Sequence, residues 1–324
     1  MKTLILKGSE VRTLVEPGAA ITAVEQALAG HARGETQMPS KVYIALPEVN
    51  GDFRAMPVRI GPRAGVKWIN AHPDNPARHG LPSVIGVFIL SDTETAAPLA
   101  IMDATGLTSL RTGAVSAVAT KALAREDAAT IGIIGCGVQA RSVIDCHMQV
   151  MKPREIRLFD LRAEAAERLA AELPQLPCRV VDLETAAGSD VVCTLTPSHK
   201  PVVTASMVRD GSHINAMGAD APGKQELDQA IVASARIFLD DLEQASESGE
   251  VNVPLRSGLL AHEAIAGTLG EVVAGLKPGR EKPDQTTLFD STGLAVQDLA
   301  VAGMIYDRAL ERGVGISLDL VDES

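Results

Sequence analysis

The chain has 324 residues, with 41 acidic and 30 basic side chains, and its net charge of −11 disfavours nucleic-acid binding. Hydrophobic residues make up 46% but aromatic residues only 2%, which predicts an aliphatic core and few surfaces on which bases could stack. The length is enough for two domains, and because uninterrupted apolar runs of about 18 residues are absent, a membrane span is not expected.

The first 112 residues are predicted to form a mixed α+β domain. Apolar residues at helical spacing predict one helix over Glu16–Ala32. Short apolar runs between Gly, Pro, Asn and Asp predict strands at Met1–Lys7, Lys41–Ala45, Phe53–Val58, Ala64–Ile69, Ser83–Leu90 and Pro98–Asp103. Because little chain remains between these strands for helices, an antiparallel or mixed sheet is expected.

Five basic residues lie on or beside those strands: Lys41, Arg54, Arg59, Lys67 and Arg111. Lys67 stands between apolar neighbours, so its side chain either extends along the polar face or points into a binding site. Arg111 stands at the end of this zone. Its guanidinium there would either hold a carboxylate or form a salt bridge between domains.

From residue 113 to 293 the pattern alternates between strands and helices, as in a doubly wound α/β domain. Strands are predicted at Thr130–Ile134, Ile156–Phe159, Asp190–Thr194, His213–Ala216, Ile237–Leu239 and Thr287–Phe289. The amphipathic helix Leu294–Arg312 follows, and Gly315–Leu320 is expected to return as a last strand to the first domain. The predicted fold class is α/β: a Rossmann domain over 113–293, and a mixed domain formed by 1–112 with 294–324.

The glycine-rich turn after the strand Thr130–Ile134 predicts a dinucleotide site. Its sequence is Gly135-x-Gly137-x-x-Ala140, and a predicted helix follows. Such a turn lets the backbone approach a pyrophosphate, which the helix N-terminus then binds. Asp160 ends the next predicted strand, where an acid usually holds the adenosine ribose, so NAD is favoured. Arg162 is a counter-signal, because it would tolerate the 2′-phosphate of NADP.

A polar turn follows the predicted strand His213–Ala216 and carries Asp220 and Lys224. In parallel sheets ligands bind beyond the carboxyl ends of strands, so Asp220 is a candidate proton shuttle. The alternative is that Asp220 only forms the turn, since Asp-Ala-Pro-Gly is also good turn chemistry.

The four cysteines, Cys136, Cys146, Cys178 and Cys193, form no Cys-x-x-Cys pair and have no His cluster beside them. Zinc binding is therefore not expected, and a metal site is not predicted. The usage is typical of a reducing compartment, so a cytoplasmic location is expected.

Nine segments together resemble the ornithine cyclodeaminase/mu-crystallin family, in the family's order and through nearly the whole chain. They are Met38–Lys41, Arg54–Pro57, Gly65–Trp68, Gly80–Ser83, Met102–Thr105, Ser109–Gly113, Gly135–Ala140, Gly218–Leu227 and Phe289–Gly293. The sequence of Gly218–Asp228, together with that of Asp240–Ala245, is most similar to the archaeal-type alanine dehydrogenase branch.

The resemblance implies a homodimer that uses its first domain as the interface, and a Rossmann domain that binds NAD or NADP. Lys67 matches a substrate-contacting lysine that could act as an acid, and Asp220 matches the catalytic acid/base. Substrate contacts are implied for Lys41, Arg54, Lys67, Arg111 and Thr292. Cofactor contacts are implied for Ser83, Arg111, Thr112, Gly135, Gly137, Val138, Gln139, Asp160, Arg162, Thr196, Met217, Lys224 and Ser291.

Arg54 departs from the ornithine branch, which carries an acid there for the distal ammonium of its substrate. An arginine would repel that ammonium, so ornithine cyclodeamination is disfavoured. The expected function is NAD(H)-dependent interconversion of a small 2-imino or 2-oxo acid and its L-amino acid. Alanine and pyruvate fit, as does iminosuccinate, whose second carboxylate would meet Arg54 or Arg59. The alternatives are pyrroline-2-carboxylate reduction, a cyclodeaminase with bound NAD, and a binding protein without catalysis.

Overall fold

A computed structural model describes residues 2–322, and the backbone divides into two units. Unit 1 takes the described residues up to Arg111 together with those from Leu294 onward, and unit 2 takes Thr112–Gly293. Met1, part of the first predicted strand, lies outside the described residues.

The strands and helices follow one another in the order that their numbers give. The strands are β1 Lys2–Leu6, β2 Thr36–Gln37, β3 Val42–Leu46, β4 Gly51–Ile60, β5 Arg63–Ala71, β6 Val84–Asp92, β7 Pro98–Asp103, β8 Thr130–Ile134, β9 Glu155–Phe159, β10 Cys178–Val180, β11 Val191–Thr194, β12 His213–Ala216, β13 Arg236–Leu239, β14 Ile265–Thr268, β15 Thr287–Asp290 and β16 Ile316–Asp319. The helices are α1 Gly8–Leu14, α2 Pro17–Ala32, α3 Asn75–His79, α4 Ala104–Leu123, α5 Val138–Val150, α6 Ala163–Glu172, α7 Leu183–Ala187, α8 Gln229–Ser234, α9 Leu242–Ser248, α10 Asn252–Arg256, α11 Leu269–Val273 and α12 Ala295–Arg312.

Unit 1 is built on a mixed sheet with the strand order β16-β1-β7-β6-β5-β4-β2, and β3 also pairs with β4. β1 and β7 are parallel, and the other neighbours are antiparallel, as the short connections predicted. The predicted return of the last strand is confirmed, because β16 pairs with β1.

One face of the unit 1 sheet is buried and the other is not. Alternate side chains of the central strands enter the core, as a period of two requires. These are Met56, Val58, Lys67, Ile69, Phe88, Leu90, Ala100 and Met102. Helix α12 packs against β4, β5 and β6, and α2 packs against α12. Lys67 is therefore a charged residue on the core face, beneath α12.

The helix α4 was not predicted. Every residue from 111 to 120 is buried, so the helix has no polar face and lacks the amphipathic periodicity that identifies helices in a sequence. It carries Thr108, Arg111 and Thr112 at a spacing that places them on one face. The short elements α1, α3, β2, β10 and β14 were also missed, because two to seven residues give too little periodicity.

Unit 2 is a parallel sheet with the order β10-β9-β8-β11-β12-β15-β13-β14. The chain runs outward from β8 through β9 to β10, then returns to β11 on the other side of β8. This reversal makes the carboxyl ends of β8 and β11 the place where such sheets bind ligands. β15 lies between β12 and β13, so the segment after it begins beside the end of β12.

Candidate active site

The glycine turn of unit 2 lies at the reversal point between β8 and β11. Gly135 has φ +99°, and a Cβ there would stand 3.0 Å from the carbonyl carbon of Leu195. Gly137 is different, since a Cβ would meet no atom within 4 Å. Val138, at the start of α5, is 77% exposed. The turn thus leaves open space at Gly137 and Val138, beside the N-terminus of a thirteen-residue helix, as a bound pyrophosphate requires.

Asp160 is fixed beside this turn by two backbone groups. The Cys136 amide donates to its Oδ2 at 2.8 Å, and the Arg162 amide donates to its Oδ1 at 2.9 Å. The Arg162 side chain is 77% exposed, with Nε 4.0 Å from Oδ1. Burial raises the pKa of the Cys136 thiol to about 12, which supports a packing role for that cysteine over a nucleophilic one.

Glu226 joins the loops that follow β11 and β12. Its Oε2 accepts from the Thr194 hydroxyl at 2.7 Å and from the Gly218 amide at 2.8 Å. Its Oε1 accepts from the amide and the hydroxyl of Thr196, at 2.7 and 2.8 Å. Thr196, predicted to contact the cofactor, therefore gives both of its donors to Glu226. Met217, also predicted to do so, is buried, and its amide donates to the Thr194 carbonyl at 3.0 Å.

Two further buried acids support this loop from below. Glu250 accepts from the amides of Glu226 and Leu227, and Asp290 accepts from the Val251 amide at 3.0 Å. Burial raises the pKa of Glu226, raises that of Glu250 well above its usual range, and raises that of Asp290 to about 7. Neighbouring carboxylates add to the effect at Glu250 and Asp290. None of these three acids was predicted as a functional residue.

Asp220 lies on the turn that Glu226 anchors. Its carboxylate accepts from Lys224 Nζ at 2.6 Å, and the two side chains are 37% and 19% exposed. The Asp-Ala-Pro-Gly stretch does turn, since the Lys224 amide donates to the Ala221 carbonyl at 3.2 Å. The side chain of Lys224, which was predicted to contact the cofactor, forms this ion pair with Asp220. Asn252 holds the same loop by donating to the Lys224 carbonyl at 3.3 Å.

Asp240 organises the turn after β15. It accepts from the Thr292 amide at 2.7 Å, from the Thr292 hydroxyl at 2.9 Å and from the Gly293 amide at 2.7 Å. The Ser291 hydroxyl lies 3.5 Å away. Thr292, predicted to bind substrate, and Ser291, predicted to bind cofactor, are both buried and both turned toward Asp240. No role was predicted for Asp240 itself.

Lys67 is the central charged residue of unit 1. Its side chain is 1% exposed, and its Nζ lies 2.7 Å from Oδ2 of Asp298, which is fully buried on α12. The other oxygen of Asp298 lies 3.2 Å from Nε of Arg111. Gln297 accepts from Nη1 of Arg111 at 3.3 Å. Lys67 and Arg111 thus meet at one buried carboxylate, which excludes the outward orientation of Lys67.

Burial lowers the pKa of Lys67 to about 7. Asp298 opposes this shift because it stabilises the ammonium, whereas Arg111 and Lys41 add to it by repulsion. A lysine that gains and loses its proton near neutral pH can act as an acid or a base.

Arg54 is paired within its own strand. Its Nε and Nη2 donate to the two carboxylate oxygens of Asp52 at 3.0 and 2.8 Å. The guanidinium also lies 5.3 Å from the Tyr43 ring centroid, and Lys41 Nζ lies 5.8 Å from it. Arg54 therefore shares the Lys67 face of the sheet but already holds one carboxylate.

Arg59 does not belong to this group. By strand alternation it lies on the opposite face of β4 from Arg54 and Met56, the register partner of Lys67, and its side chain is exposed. The expectation that Arg59 would meet a second substrate carboxylate beside Lys67 is therefore not supported.

Several buried polar atoms of unit 1 have no hydrogen-bond partner among residues 2–322. They include Thr108 Oγ1 and Gln297 Nε2. Arg111 Nε and the two carboxylate oxygens of Asp298 have only the ion-pair contacts described above. Buried polar groups are nearly always partnered, so this concentration marks a place prepared for a polar ligand. Thr112 Oγ1 is likewise buried without a partner.

Ser83 stands just before β6, and its carbonyl accepts from the His72 amide at 2.7 Å.

Asp298 and Gln297 were missed although the sequence holds a signal. Asp298 stands four residues before Ala302 and seven before Ile305, in the apolar stripe of a helix that was predicted correctly. A charged residue in such a stripe calls for a partner. The acids of unit 2 carry no comparable signal, because Glu226, Asp240 and Glu250 lie on irregular segments and Asp290 is the last residue of a short strand.

Within residues 2–322 no helix is long and apolar enough to cross a membrane. The same described range contains no cluster of three or more His, Cys, Asp or Glu side chains placed to hold a metal ion.

Comparison with known proteins relates the chain to a single protein family. The sequence model of the ornithine cyclodeaminase/mu-crystallin family matches residues 1–313. The alanine dehydrogenase of Archaeoglobus fulgidus is 48% identical over 317 residues, which cover 97% of this chain and 98% of that protein. The structure of an archaeal alanine dehydrogenase dimer with bound NAD superposes with a TM-score of 0.96 at 46% identity, covering 99% and 100% of the chains. A Thermococcus litoralis Δ1-pyrroline-2-carboxylate reductase, solved with NADH and L-proline, gives 0.94 at 34% identity, covering 98% and 100%.

Proposed function

The chain belongs to the ornithine cyclodeaminase/mu-crystallin family, and we propose that it is an NAD(H)-dependent oxidoreductase that interconverts a small 2-imino or 2-oxo acid and its L-amino acid. It acts as an amino-acid dehydrogenase or imine reductase, on a CH–NH2 or C=N bond. The observation that carries this proposal is the buried group of Lys67, Arg111 and Asp298. It sets an amine that titrates near neutral pH beside a guanidinium that can hold a carboxylate.

Unit 2 supplies the residues that would hold the dinucleotide. The open turn at Gly137 and Val138 fits a pyrophosphate, and Asp160 fits a ribose hydroxyl. The turns that carry Thr196, Met217, Lys224 and Ser291 follow the neighbouring strands at the same edge of the sheet. When bound, the nicotinamide ring donates or accepts the hydride.

The residues of unit 1 bind and protonate the substrate. Nη1 of Arg111 donates to Gln297 and Nε lies 3.2 Å from Asp298, which leaves Nη2 for the substrate carboxylate, with Lys41 as a second cation. Lys67 donates its proton to the imine nitrogen, since a protonated C=N bond accepts hydride far more readily. In the oxidative direction Lys67 takes the proton back, and Asp220 deprotonates the water that hydrolyses the iminium and releases ammonia.

The Arg54–Asp52 pair favours a substrate with a single carboxylate. A second carboxylate would have to displace Asp52 from a bidentate contact. A distal ammonium, as in ornithine, would find the Asp52 carboxylate already occupied and Arg54 beside it. Pyruvate with ammonia, or a small cyclic imine, therefore fits better than iminosuccinate or a diamino acid.

The test is a substrate panel followed by NADH oxidation. It includes 2-oxo acids with ammonia or methylamine, iminosuccinate, and pyrroline-2-carboxylate, with ornithine assayed separately for ammonia release. We expect NADH consumption with pyruvate and ammonia or with the cyclic imine, at a kcat/KM above that for iminosuccinate. Ammonia release from ornithine without net NADH change would instead identify a cyclodeaminase, and NADH binding without turnover of any compound would identify a binding protein.

The turn at Gly137 gives a test of cofactor binding that does not depend on turnover. Replacing Gly137 with alanine is expected to leave the Tm of the free protein unchanged, because the added methyl group meets no atom within 4 Å. The same methyl group occupies the space that a pyrophosphate approaches, so NADH binding, measured by fluorescence titration, should weaken about tenfold or more. Gly135→Ala is the comparison, and its strained backbone should also lower Tm. An unchanged Kd for NADH in Gly137→Ala would contradict the assignment.

NADH is expected to be used with at least about tenfold higher kcat/KM than NADPH. The carboxylate of Asp160, held by the amides of Cys136 and Arg162, would bond a ribose hydroxyl and repel a 2′-phosphate. Asp160→Ser should reduce the preference, because it removes that charge while Arg162 remains. A wild-type enzyme that prefers NADPH would show that Arg162 decides the choice.

The exposed face of the unit 1 sheet supports a homodimer. It carries an apolar row of Val42, Ile44, Trp68, Ile85, Val87, Ile316 and Leu318, which are 37–60% exposed. Their register places them all on the face opposite to Lys67. An apolar surface of this extent is typical of a subunit interface. Trp68→Glu should yield a monomer in light scattering, whereas Leu161→Glu, at an exposed apolar residue of unit 2, should not.

A further inference from the structure

Asp298 is an unusual residue for its position. It stands in the first turn of α12, on the stripe that packs against the unit 1 sheet, and it is fully buried. Aspartate is almost never fully buried unless it is paired, because removing its charge from water is costly. The two cations that it contacts, Lys67 at 2.7 Å and Arg111 at 3.2 Å, come from β5 and α4.

The contacts of Asp298 differ from those of the structural acids in this chain. Asp190 accepts from the amides of Ala129 and Thr130 and from the Thr130 hydroxyl, at 2.8–3.0 Å, and Asp240 accepts similarly from Thr292 and Gly293. Asp298 accepts no backbone hydrogen bond within residues 2–322, and its two oxygens instead lie 2.7 Å from Lys67 Nζ and 3.2 Å from Arg111 Nε. Asp298 is therefore held by charge, and its interaction is with Lys67 and Arg111 rather than with the backbone.

The charges around Lys67 show what this carboxylate balances. Asp298 faces it from α12, Arg111 from α4, and Lys41 from the segment before β3. On β4, Arg54 is already paired with Asp52. Asp298 therefore partly balances the positive charge that Lys67 and Arg111 bring together. Without Asp298, Lys67 and Arg111 would repel each other in a buried environment.

We propose that Asp298 is a positioning residue that holds the Lys67 ammonium and the Nε edge of Arg111 on its two oxygens, so that proton donor and carboxylate receptor meet the substrate at fixed points. This inference rests on the proposed function, because it assumes that Lys67 and Arg111 act on the substrate. It adds that α12 sets both the orientation and the protonation of the groups that β5 and α4 provide.

The protonation of Lys67 gives the proposal a measurable consequence. Asp298 raises the pKa of Lys67 against the lowering by burial, Arg111 and Lys41. Removing the charge of Asp298 should therefore lower that pKa, so Lys67 loses its proton at a lower pH. Because reduction needs the protonated form, the alkaline limb of kcat/KM should move to lower pH.

The experiment compares Asp298→Asn, Asp298→Glu and the control Asp307→Asn with the wild type. Asp307 lies on the same helix but pairs with Arg63 at the surface, with 3.0 Å between Nη1 and Oδ2. Three quantities are measured: the pH profile of kcat/KM for imine reduction, Kd for NADH, and the proton uptake on pyruvate binding. The last comes from calorimetry in two buffers and requires no turnover.

In Asp298→Asn the alkaline limb should move down by about one pH unit, which lowers kcat/KM about tenfold above the limb. The pH of maximal proton uptake should fall with it, KM should rise, and Kd for NADH should stay unchanged. Asp298→Glu keeps the charge, so it should keep the wild-type limb while its displaced carboxylate lowers kcat. Asp307→Asn should match the wild type throughout.

A wild-type pH profile and proton uptake in a folded Asp298→Asn would overturn the proposal. If that variant does not fold, wild-type kcat and KM in Asp298→Glu would overturn it equally. Failure of the proposed function looks different, since the wild type itself would then reduce no imino acid. The calorimetric shift in Asp298→Asn would still test the role of Asp298 in that case.

Discussion

Replacing Lys67 with methionine is expected to lower kcat/KM for imine reduction about 10²–10⁴-fold, which is the usual effect of losing a positioned acid. Methionine keeps the length and apolar stem of the side chain but cannot donate a proton. Kd for NADH should be unchanged, because Lys67 is not among the residues assigned to cofactor binding. The measurement is steady-state kinetics with the best substrate of the panel, together with a fluorescence titration of NADH.

The pH dependence of the wild type should report the same residue. Because burial brings the pKa of Lys67 to about 7, the protonated donor predominates below that pH and is lost above it. Reduction should therefore slow as the pH rises through about 7, and oxidation, which needs the neutral amine, should slow as the pH falls through it. In Lys67→Met both limbs should disappear from the residual activity.

Lys7→Met is the matched control, because Lys7 is an exposed lysine of the same unit. It should retain wild-type kinetics. Since Lys67→Met leaves Asp298 with Arg111 as its one close cation, Tm must be measured for each variant. A folded Lys67→Met enzyme with near-normal turnover and an unchanged alkaline limb would exclude Lys67 from the chemistry.

Replacing Asp220 with asparagine is expected to reduce reductive amination of a 2-oxo acid about 10²–10⁴-fold. The side chain keeps its size but can no longer exchange a proton with water. Its ion pair with Lys224 is partly exposed and separated by four residues, so the loss of that pair should change stability by only about 0.5 kcal/mol. NADH binding and Tm should therefore remain close to those of the wild type.

The substrate panel separates the role assigned to Asp220 from a general loss of activity. Reductive amination includes loss of water from the substrate, whereas a preformed cyclic imine requires no such step. Asp220→Asn should therefore lose far more activity with pyruvate and ammonia than with pyrroline-2-carboxylate. Equal losses on both would contradict the assigned step.

Two variants serve as controls for Asp220. If Asp220 acts only by holding Lys224, then Lys224→Met should show the same loss as Asp220→Asn. Asp210→Asn changes an exposed acid of the same unit and should have no effect.

The regular parts of both units were predictable because each has a local signal. The strands Pro98–Asp103, Thr130–Ile134 and His213–Ala216 were predicted with the bounds that the structure has. They are short apolar runs between turn residues, and such runs depend little on distant contacts. Helix α4 was not predictable in the same way, since burial on all sides removes the polar face that periodicity detects.

The same distinction, between features with a local sequence signal and features without one, applies to the residues of the candidate site. Lys67 was left open between an outward and an inward orientation, because alternation fixes which residues share a face but not which face is covered. Because α12 packs on the face of the sheet that carries Lys67, this side chain points inward. Arg54 was expected to meet a substrate carboxylate, and the structure pairs it with Asp52, a residue only two positions away on its own strand. Both residues lie on one face of the strand, yet no local sequence pattern predicts that their side chains form an ion pair.

The strand-turn-helix at Gly135–Ala140 and the acid after the next strand could be recognised without a structure, because the chemistry of a dinucleotide turn is local: glycines, a helix start and a carboxylate at fixed spacing. The cations that the chain carries could be listed in the same way. Which charges meet depends on how the elements pack. Asp298 follows Lys67 by 231 residues, and their ion pair exists because α12 packs on β5. Whether Lys67 is an ordinary surface lysine or a group that titrates near pH 7 depends on burial and on neighbours distant in the chain, and those are properties of the packed core.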